Sequence, residues 1–339
     1  MTTRILSELR IPIVGAPMAG GPSTPELAAA VSSAGGLGMI AGALSTPEKL
    51  AEQVDWVRST LGSVAFGVNL FMPEDATGAD VDAYAARLQP WFDKYDATPG
   101  TLSRRDDFYP EKFEWLIANP VPLVSSTFGT FSADEVTRLH DVGTEVWATV
   151  ARAEDASVST ANGVDALVVQ GPEAGGHRST FDGSAPEAPL AELLDAVAAV
   201  SSLPRIAAGG LMDGNDVAPL LDSGAAHAAQ LGTALLDTPE AGTRPVHREQ
   251  LRRITTTAVT RAFSGRPARG LENEFMRENS ADAPLAYPDV HYLTSQLRAK
   301  SAALGDPSAL SMWAGTGHAR VQALPTAELL ATWARQLGR

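Results

Sequence analysis

Short apolar runs alternate with amphipathic segments along the first two thirds of the chain. Eight of these runs are rich in valine, isoleucine, leucine and alanine, as buried parallel strands are. They cover residues 11–17, 37–43, 64–70, 121–126, 145–150, 164–170, 205–208 and 226–231. The pattern predicts a strand at each of them.

The segments between these strands have the apolar period of helices. Ser23-Thr24-Pro25-Glu26 and Ser45-Thr46-Pro47-Glu48 repeat one helix-start signal, with a capping hydroxyl, a proline and an early acidic residue. Further helices are predicted at residues 133–140, 153–161, 190–200 and 214–222. Eight strands in βα order favour a closed (β/α)8 TIM barrel, and an open doubly wound sheet is the alternative.

Two stretches lack this repeat. Residues 71–120 are rich in charged and aromatic side chains, and the tail after residue 236 combines helices with turn-rich pieces. The tail helices are predicted at 244–252, 291–303 and 326–337, and the turn-rich pieces at 264–270 and 314–317. We expect a barrel from residues 1–70 and 121–236, and a smaller, mostly helical second domain from residues 71–120 and 237–325. Residues 326–339 would form a C-terminal helix that packs back on the barrel.

Composition narrows the range of partners. The chain has 26 lysines and arginines against 40 aspartates and glutamates, a formal charge of −14, which disfavours nucleic acid and anionic membranes. It has no cysteine, so disulfides, thiolate metal sites and cysteine nucleophiles are excluded. Without a secretory signal, a long apolar run or clustered metal-ligand spacing, we expect a cytoplasmic protein without a metal.

The candidate site lies at the carboxyl ends of the predicted strands, where barrel enzymes bind their ligands. Loops after strands seven and eight often hold phosphate, because glycine backbones can donate N–H groups to it. Candidate binding residues at these ends are Ala16, Met18, Asn69, Gln170, Gly209, Gly210, Gln230, Gly232 and Thr233. Gly209-Gly210 could also form a tight turn, and the amides of Asn69 and Gln170 could satisfy buried strand ends.

His177 is the candidate catalytic residue. It follows Gly175 and Gly176 in a glycine-rich loop after strand six, and imidazole can accept or donate a proton near neutral pH. The alternative is a solvent-exposed loop histidine. We expect the other five histidines (His140, His227, His247, His291 and His318) to be structural.

Six segments resemble the bacterial class I nitronate monooxygenases, formerly called 2-nitropropane dioxygenases. They read P-I-V-G-A-P-M, F-G-V-N-L-F, V-Q-G-P-E-A-G-G-H-R, A-A-G-G-L-M-D-G, Q-L-G-T-A-L-L and F-S-G-R-P-A-R-G. The resemblance implies an FMN-dependent TIM barrel with a substrate domain, which oxidises alkyl nitronates such as propionate 3-nitronate with O2. It implies catalysis by His177 and FMN contacts at Met18, Asn69, Gln170, Gly175, Gly210, Gln230, Gly232 and Thr233.

Other features leave alternatives open. Tyr292 and Lys300 are candidate substrate contacts or plain surface residues, and Ser179-Thr180 departs from the glycine that often follows the family's histidine motif. The alternative functions are an NAD(P)H-dependent flavin reductase, of the enoyl-acyl-carrier-protein reductase or quinone reductase type, and a non-catalytic flavin-binding sensor. We expect a monomer or homodimer.

Overall fold

Eight parallel strands form the centre of the computed structural model, which describes residues 3–75 and 78–339. The strands are β1 (Ile13–Gly15), β2 (Gly38–Ala41), β3 (Phe66–Phe71), β4 (Leu123–Thr127), β5 (Glu145–Val150), β6 (Ala166–Gln170), β8 (Arg205–Ala208) and β9 (Ala228–Leu231). They pair in the order β1-β9-β8-β6-β5-β4-β3-β2. A parallel bridge from Val14 to Leu37 joins the two ends, so the sheet closes into the predicted TIM barrel.

Helices connect and cover these strands as the start signals predict. Thr24 and Thr46 cap α2 and α3, because their side chains accept hydrogen bonds from the backbone of Leu27 and Lys49. The barrel-layer helices are α2 (Pro25–Ser33), α3 (Pro47–Leu61), α7 (Ala133–Asp141), α8 (Ala153–Ala161), α9 (Leu190–Val200) and α10 (Gly214–Asp222). The short helix α1 (Arg4–Glu8) precedes β1.

Both faces of the barrel wall are apolar. Inward-facing side chains such as Leu123, Trp147 and Val168 are buried in one cluster inside the barrel, while Val124, Ala148 and Leu167, next to them in sequence, pack outward among the helices. A strand buried on both faces reads as a continuous apolar run. This is why the sequence marks the strands so clearly.

Parts of residues 78–108 and 237–325 pack on each other above the strand ends. Buried aromatic residues of the first segment, including Trp91 and Phe92, share a hydrophobic cluster with Phe263, Phe275 and Leu293 of the second. The helices here are α4 (Val81–Arg87), α5 (Gln89–Lys94), α11 (Pro245–Arg253), α12 (Glu274–Asn279), α13 (Asp289–Leu293) and α14 (Ser295–Ala303). Helix α6 (Tyr109–Ala118) instead packs Phe113 and Leu116 into the outer cluster of the barrel and contacts α3, so the end of segment 71–120 joins the barrel layer and not the predicted second domain. We call the parts of these two segments above the barrel the roof.

The roof also contains a small antiparallel sheet that the sequence did not reveal. Strands β10 (Thr257–Thr260) and β11 (Ala268–Leu271) pair with each other, and β11 also pairs with β7 (Gly176–His177) of the glycine loop. The prediction that residues 264–270 are turn-rich was therefore wrong for their last part. Strand β11 has a local partner in β10, but its other partner comes from a distant loop, and no local pattern encodes that second pairing.

The last predicted helices differ in detail. The helix predicted at 291–303 is two helices, α13 and α14, which meet at Thr294. The final helix, α15 (Thr326–Gln336), packs on α2 and α10. No helix in the described residues is long and apolar enough to cross a membrane.

Candidate functional site

A cavity of about 460 Å³ lies between the carboxyl ends of the barrel strands and the roof. The structure brings ten of the predicted site residues to its wall. These are Ala16, Met18, Gln170, Gly175, His177, Gly209, Gly210, Gln230, Gly232 and Thr233. Closure of the barrel explains this, since residues far apart in sequence follow neighbouring parallel strands.

Glycines form one side of the cavity by close backbone contact. Gly209 and Gly210 follow β8 with φ angles of +118° and +73°, a region where side chains other than glycine are strained. A Cβ on Gly175 would lie 2.6 Å from the backbone carbon of Ala314. The Gly315 N–H donates to Thr233 Oγ1 at 2.9 Å. This wall is therefore made largely of main chain.

The two glutamines at the cavity use their amides differently. Gln170 holds the histidine loop, because its Nε2 donates to the His177 carbonyl at 3.0 Å and its Oε1 accepts from Ser179 N–H at 3.0 Å. Gln230 also lines the cavity, and its side chain has no hydrogen bond to any described residue. Its amide is thus available to a ligand.

His177 is held at the junction of the barrel and the roof. Its Nε2 lies 2.9 Å from Ser264 Oγ, and the rings of Phe128, Tyr287 and Trp313 surround it with centroid distances of 5.4–5.8 Å. Burial, followed by the charges of Arg266, Arg298 and Arg178, lowers the pKa of His177 to about 3. The imidazole is therefore neutral at pH 7.

Two buried arginines fix the loop that carries His177. The Arg178 side chain donates to the carbonyls of Gly171, Pro172 and Ala174. Arg266 donates to the carbonyls of Arg178 and Thr180 and pairs with Glu74, and its guanidinium lies 4.0 Å from the centre of the Phe128 ring. Buried charges are tolerated where they are paired or hydrogen-bonded in this way.

The roof contributes cavity residues that sequence reasoning missed. They include Arg244, His247, Ser264, His291, Arg298 and Trp313, and Phe128 in the barrel loop after β4 was missed as well. A signal was present for part of this set, because His291, Thr294 and Arg298 are spaced by three and four residues, as on one face of a helix. Ser264 and Arg266 lie in the F-S-G-R-P-A-R-G segment, to which the sequence reasoning gave no residue roles.

Arginine gives this cavity a positive character. Burial and the charge of Arg244 lower the pKa of Arg298 to about 10, so Arg298 stays charged at pH 7. Among the described residues, no carboxylate side chain lines the cavity, and no three histidine, aspartate or glutamate side chains group to hold a metal ion. An anion is the ligand that such a wall favours.

Three predicted residues do not line the cavity. Asn69 is 1% exposed, and its Nδ2 donates to Ser125 and Thr127 at the end of the neighbouring strand, which fits the alternative of a buried strand-end amide. Tyr292 is outside the lining, next to His291. Lys300 is exposed, with its Nζ 3.6 Å from Asp96. This exposed position matches the alternative that Lys300 is a plain surface residue.

A closed parallel barrel with a glycine-walled, positively charged cavity at its strand ends defines a TIM-barrel enzyme site that can hold a phosphorylated cofactor. The nitronate monooxygenase family model matches residues 4–333. A nitronate monooxygenase of Pseudomonas aeruginosa is 39% identical, with 99% of this chain and 98% of that protein covered. The chain belongs to the nitronate monooxygenase family, which is a family of flavoprotein type.

Other relatives agree with this assignment. A probable nitronate monooxygenase of Staphylococcus aureus is 34% identical over 92% of this chain and 90% of that protein. The structure of a nitroalkane oxidase from Streptomyces ansochromogenes has a TM-score of 0.95 and 41% identity, with 99% and 98% coverage. FabK from Thermotoga maritima is less similar, with a TM-score of 0.75 and 26% identity over 100% and 96% of the two chains. Nitronate oxidation is therefore favoured over the reductase alternative.

Proposed function

We propose that this protein is an FMN-dependent monooxygenase that oxidises alkyl nitronates with O2 to a carbonyl compound and nitrite. The glycine wall supports the cofactor assignment, since Gly209, Gly210 and Gly232 have no side chain between their backbone and a bound phosphate. The free amide of Gln230 suits the alternating donors and acceptors of a flavin ring. When bound, FMN would supply the redox chemistry of the oxidation.

The observation that carries the substrate assignment is the charge of the cavity. Arg298 and Arg244 line it without a carboxylate from the described residues. A nitronate is an anion, and its negative charge lies on the oxygens of the nitro group. A cavity with buried positive charge binds such a group more strongly than it binds the neutral nitroalkane.

The position of His177 in the cavity wall supports a role for its imidazole beside the substrate. Because burial lowers its pKa to about 3, the ring is unprotonated at neutral pH, but the same low pKa makes it a weak base towards a neutral nitroalkane. Its contact with Ser264 holds the ring in one orientation. With a nitronate, which has already lost that proton, His177 would orient the nitro group.

A visible spectrum followed by a nitrite assay tests this function. The purified protein should be yellow, or become yellow with added FMN, and should release nitrite from propionate 3-nitronate in air. His177→Asn should keep the flavin and lose most of the nitrite release. A colourless protein that does not bind FMN, or a flavoprotein that releases no nitrite, would contradict the proposal.

Anaerobic addition of NADH separates this function from the reductase alternative. A nitronate monooxygenase should show slow or no bleaching of the flavin with NADH and rapid reaction with the nitronate. Rapid bleaching by NADH without nitrite release would favour the reductase. The oligomeric state and the cytoplasmic location stay predictions.

A further inference from the structure

His291 faces the cavity from the roof side. It lies at the middle of α13 and lines the same cavity as His177. Tyr287 lies between the two histidines, with its ring centre 5.8 Å from that of His177 and 6.2 Å from that of His291. The cavity therefore has one imidazole from the glycine loop, and His291 joins His247 in supplying imidazoles from the roof.

The neighbours of His291 determine which of its ring nitrogens carries the proton. Arg298 Nη2 lies 3.4 Å from His291 Nδ1 and also donates to the His291 carbonyl at 2.7 Å. Arginine has donors only. Nδ1 must therefore accept, and the proton of the neutral ring is on Nε2.

The Nε2–H of His291 has no acceptor within the protein. No described residue provides an oxygen or nitrogen acceptor for it, although the ring lines the cavity. Burial, together with the charges of Arg298 and His177, lowers the pKa of His291 well below its ordinary value. The ring thus stays neutral and keeps a single N–H donor, which the described residues leave free for a ligand in the cavity.

We propose that His291 is a second substrate-binding histidine, whose Nε2–H donates a hydrogen bond to an oxygen of the nitronate. This inference rests on the proposed function and adds a residue to its site. Arg298 acts through His291 as a positioning residue, because its guanidinium fixes the tautomer. Pairing a free donor with an anionic oxygen satisfies both groups at once.

The role predicts which kinetic constant changes. A hydrogen bond to the negative nitronate is present before any electron leaves the substrate, so its loss weakens binding without removing the means of oxidation. We expect KM for the nitronate to rise roughly 10- to 100-fold, the range of one hydrogen bond to a charged group. The value of kcat should change by less than about threefold.

Two substitutions at one position separate the donor from the ring. His291→Phe keeps an aromatic ring beside Tyr287 and Tyr292 but has no N–H, whereas His291→Gln keeps a side-chain N–H₂ that can donate. We expect the KM increase in the Phe variant and a substantial return towards the wild-type value in the Gln variant. His140→Gln is the matched control, since His140 bonds to Asp165 just before β6 begins, at the opposite end of the barrel.

Flavin content and the nitrogen NMR signals of the histidines complete the test. A wild-type protein that releases no nitrite from the nitronate refutes the proposed function itself. Nitrite release by the wild type, with KM unchanged in a flavin-loaded His291→Phe variant, refutes the role of His291 alone. The histidine signals of ¹⁵N-labelled wild type that are missing from the His291→Gln spectrum belong to His291. These signals should show that the ring proton is on Nε2. A proton on Nδ1 would also overturn the inference.

Discussion

The two sides of the cavity are built from different chemical groups. On the barrel side, glycine backbones at the ends of β8 and β9 and in the loop after β6 form the wall. On the roof side, the wall consists of histidine, arginine and aromatic side chains from α13, α14 and the loops around β11. The first wall offers main-chain donors and space, and the second offers charge and titratable rings.

Because of this difference, we expect different kinds of substitution to destabilise the two walls. A glycine wall is damaged by added volume where a new Cβ meets backbone that cannot rotate away, as at Gly175. The roof side is supported from behind by a buried charge, Arg266, and is damaged by loss of its partner, because the group left behind is desolvated and unpaired. Variants at Arg266, Gly175, His177 and Lys300 test this contrast.

Arg266 should show the largest loss of stability. Arg266→Met removes a fully buried guanidinium that pairs with Glu74 and holds two loop carbonyls. Breaking one side of a buried ion pair costs about 3–5 kcal/mol, so we expect the free energy of unfolding to fall by about that amount. Urea unfolding at pH 7 measures it, and nitrite release should fall as the His177 loop loosens.

The double variant Arg266→Met/Glu74→Gln is the control for this effect. It removes the carboxylate that Arg266→Met leaves unpaired, so part of the lost stability should return. If the single and double variants are equally unstable, the ion pair does not explain the effect. Loss of the two carbonyl hydrogen bonds would then account for it.

Gly175 tests the main-chain wall. In Gly175→Ala the new Cβ would lie 2.6 Å from the backbone of both Ala314 and Gly315, and overpacking of this kind costs about 1–3 kcal/mol. We expect a lower Tm and a reduced ratio of bound FMN to protein. Thermal melting and the visible absorbance measure the two.

Gly317→Ala is the matched control in the same group of loops. Its nearest clash, at 2.5 Å, is with the Cγ atom of the Met212 side chain, and a methionine can change its rotamer. The Tm and FMN content of this variant should be closer to wild type than those of Gly175→Ala. If Gly317→Ala lowered the Tm and the FMN content more than Gly175→Ala did, contact with backbone atoms would not be the reason that this wall needs glycine.

The imidazole that the glycine loop presents against the roof should show its burial in the pH dependence of stability. The folded-state pKa of His177 is about 3 and the ordinary value is 6.5. Between these values the unfolded chain binds a proton that the folded chain does not, so the contribution of His177 to stability falls as the pH is lowered from 6.5 towards 3. This loss is at most about 1.4 kcal/mol per pH unit.

A comparison with His177→Gln isolates this contribution. Urea unfolding of both proteins at pH 7, 6 and 5 should show that the wild type loses stability faster on acidification than the variant. The other buried groups titrate in both proteins, so their contributions largely cancel. Parallel losses would mean that His177 protonates normally in the folded protein.

The sequence predicted the barrel wall better than the roof wall because the barrel repeats. Each strand is a continuous apolar run in the sequence. Its carboxyl end therefore indicates a candidate site residue even when the strands that pair with it are not known. Ser264, His291 and Trp313 reach the cavity through contacts with distant segments, such as the pairing of β11 with β7. Asn69 shows where prediction from strand ends fails. A position at a strand end does not decide whether the side chain faces the ligand or the neighbouring strand.

Lys300 should show the smallest effect, although it lies two residues from Arg298 on α14. Its Nζ is 3.6 Å from Asp96, and both side chains are largely exposed, so the pair contributes little to stability. In Lys300→Ala we expect kcat, the KM for the nitronate and the Tm to match wild type within experimental error. A KM that rises more than about threefold, a change of about 0.6 kcal/mol in binding, would place Lys300 at the substrate after all. It would also mean that the roof changes conformation when the ligand binds, because the structure separates Lys300 from the cavity.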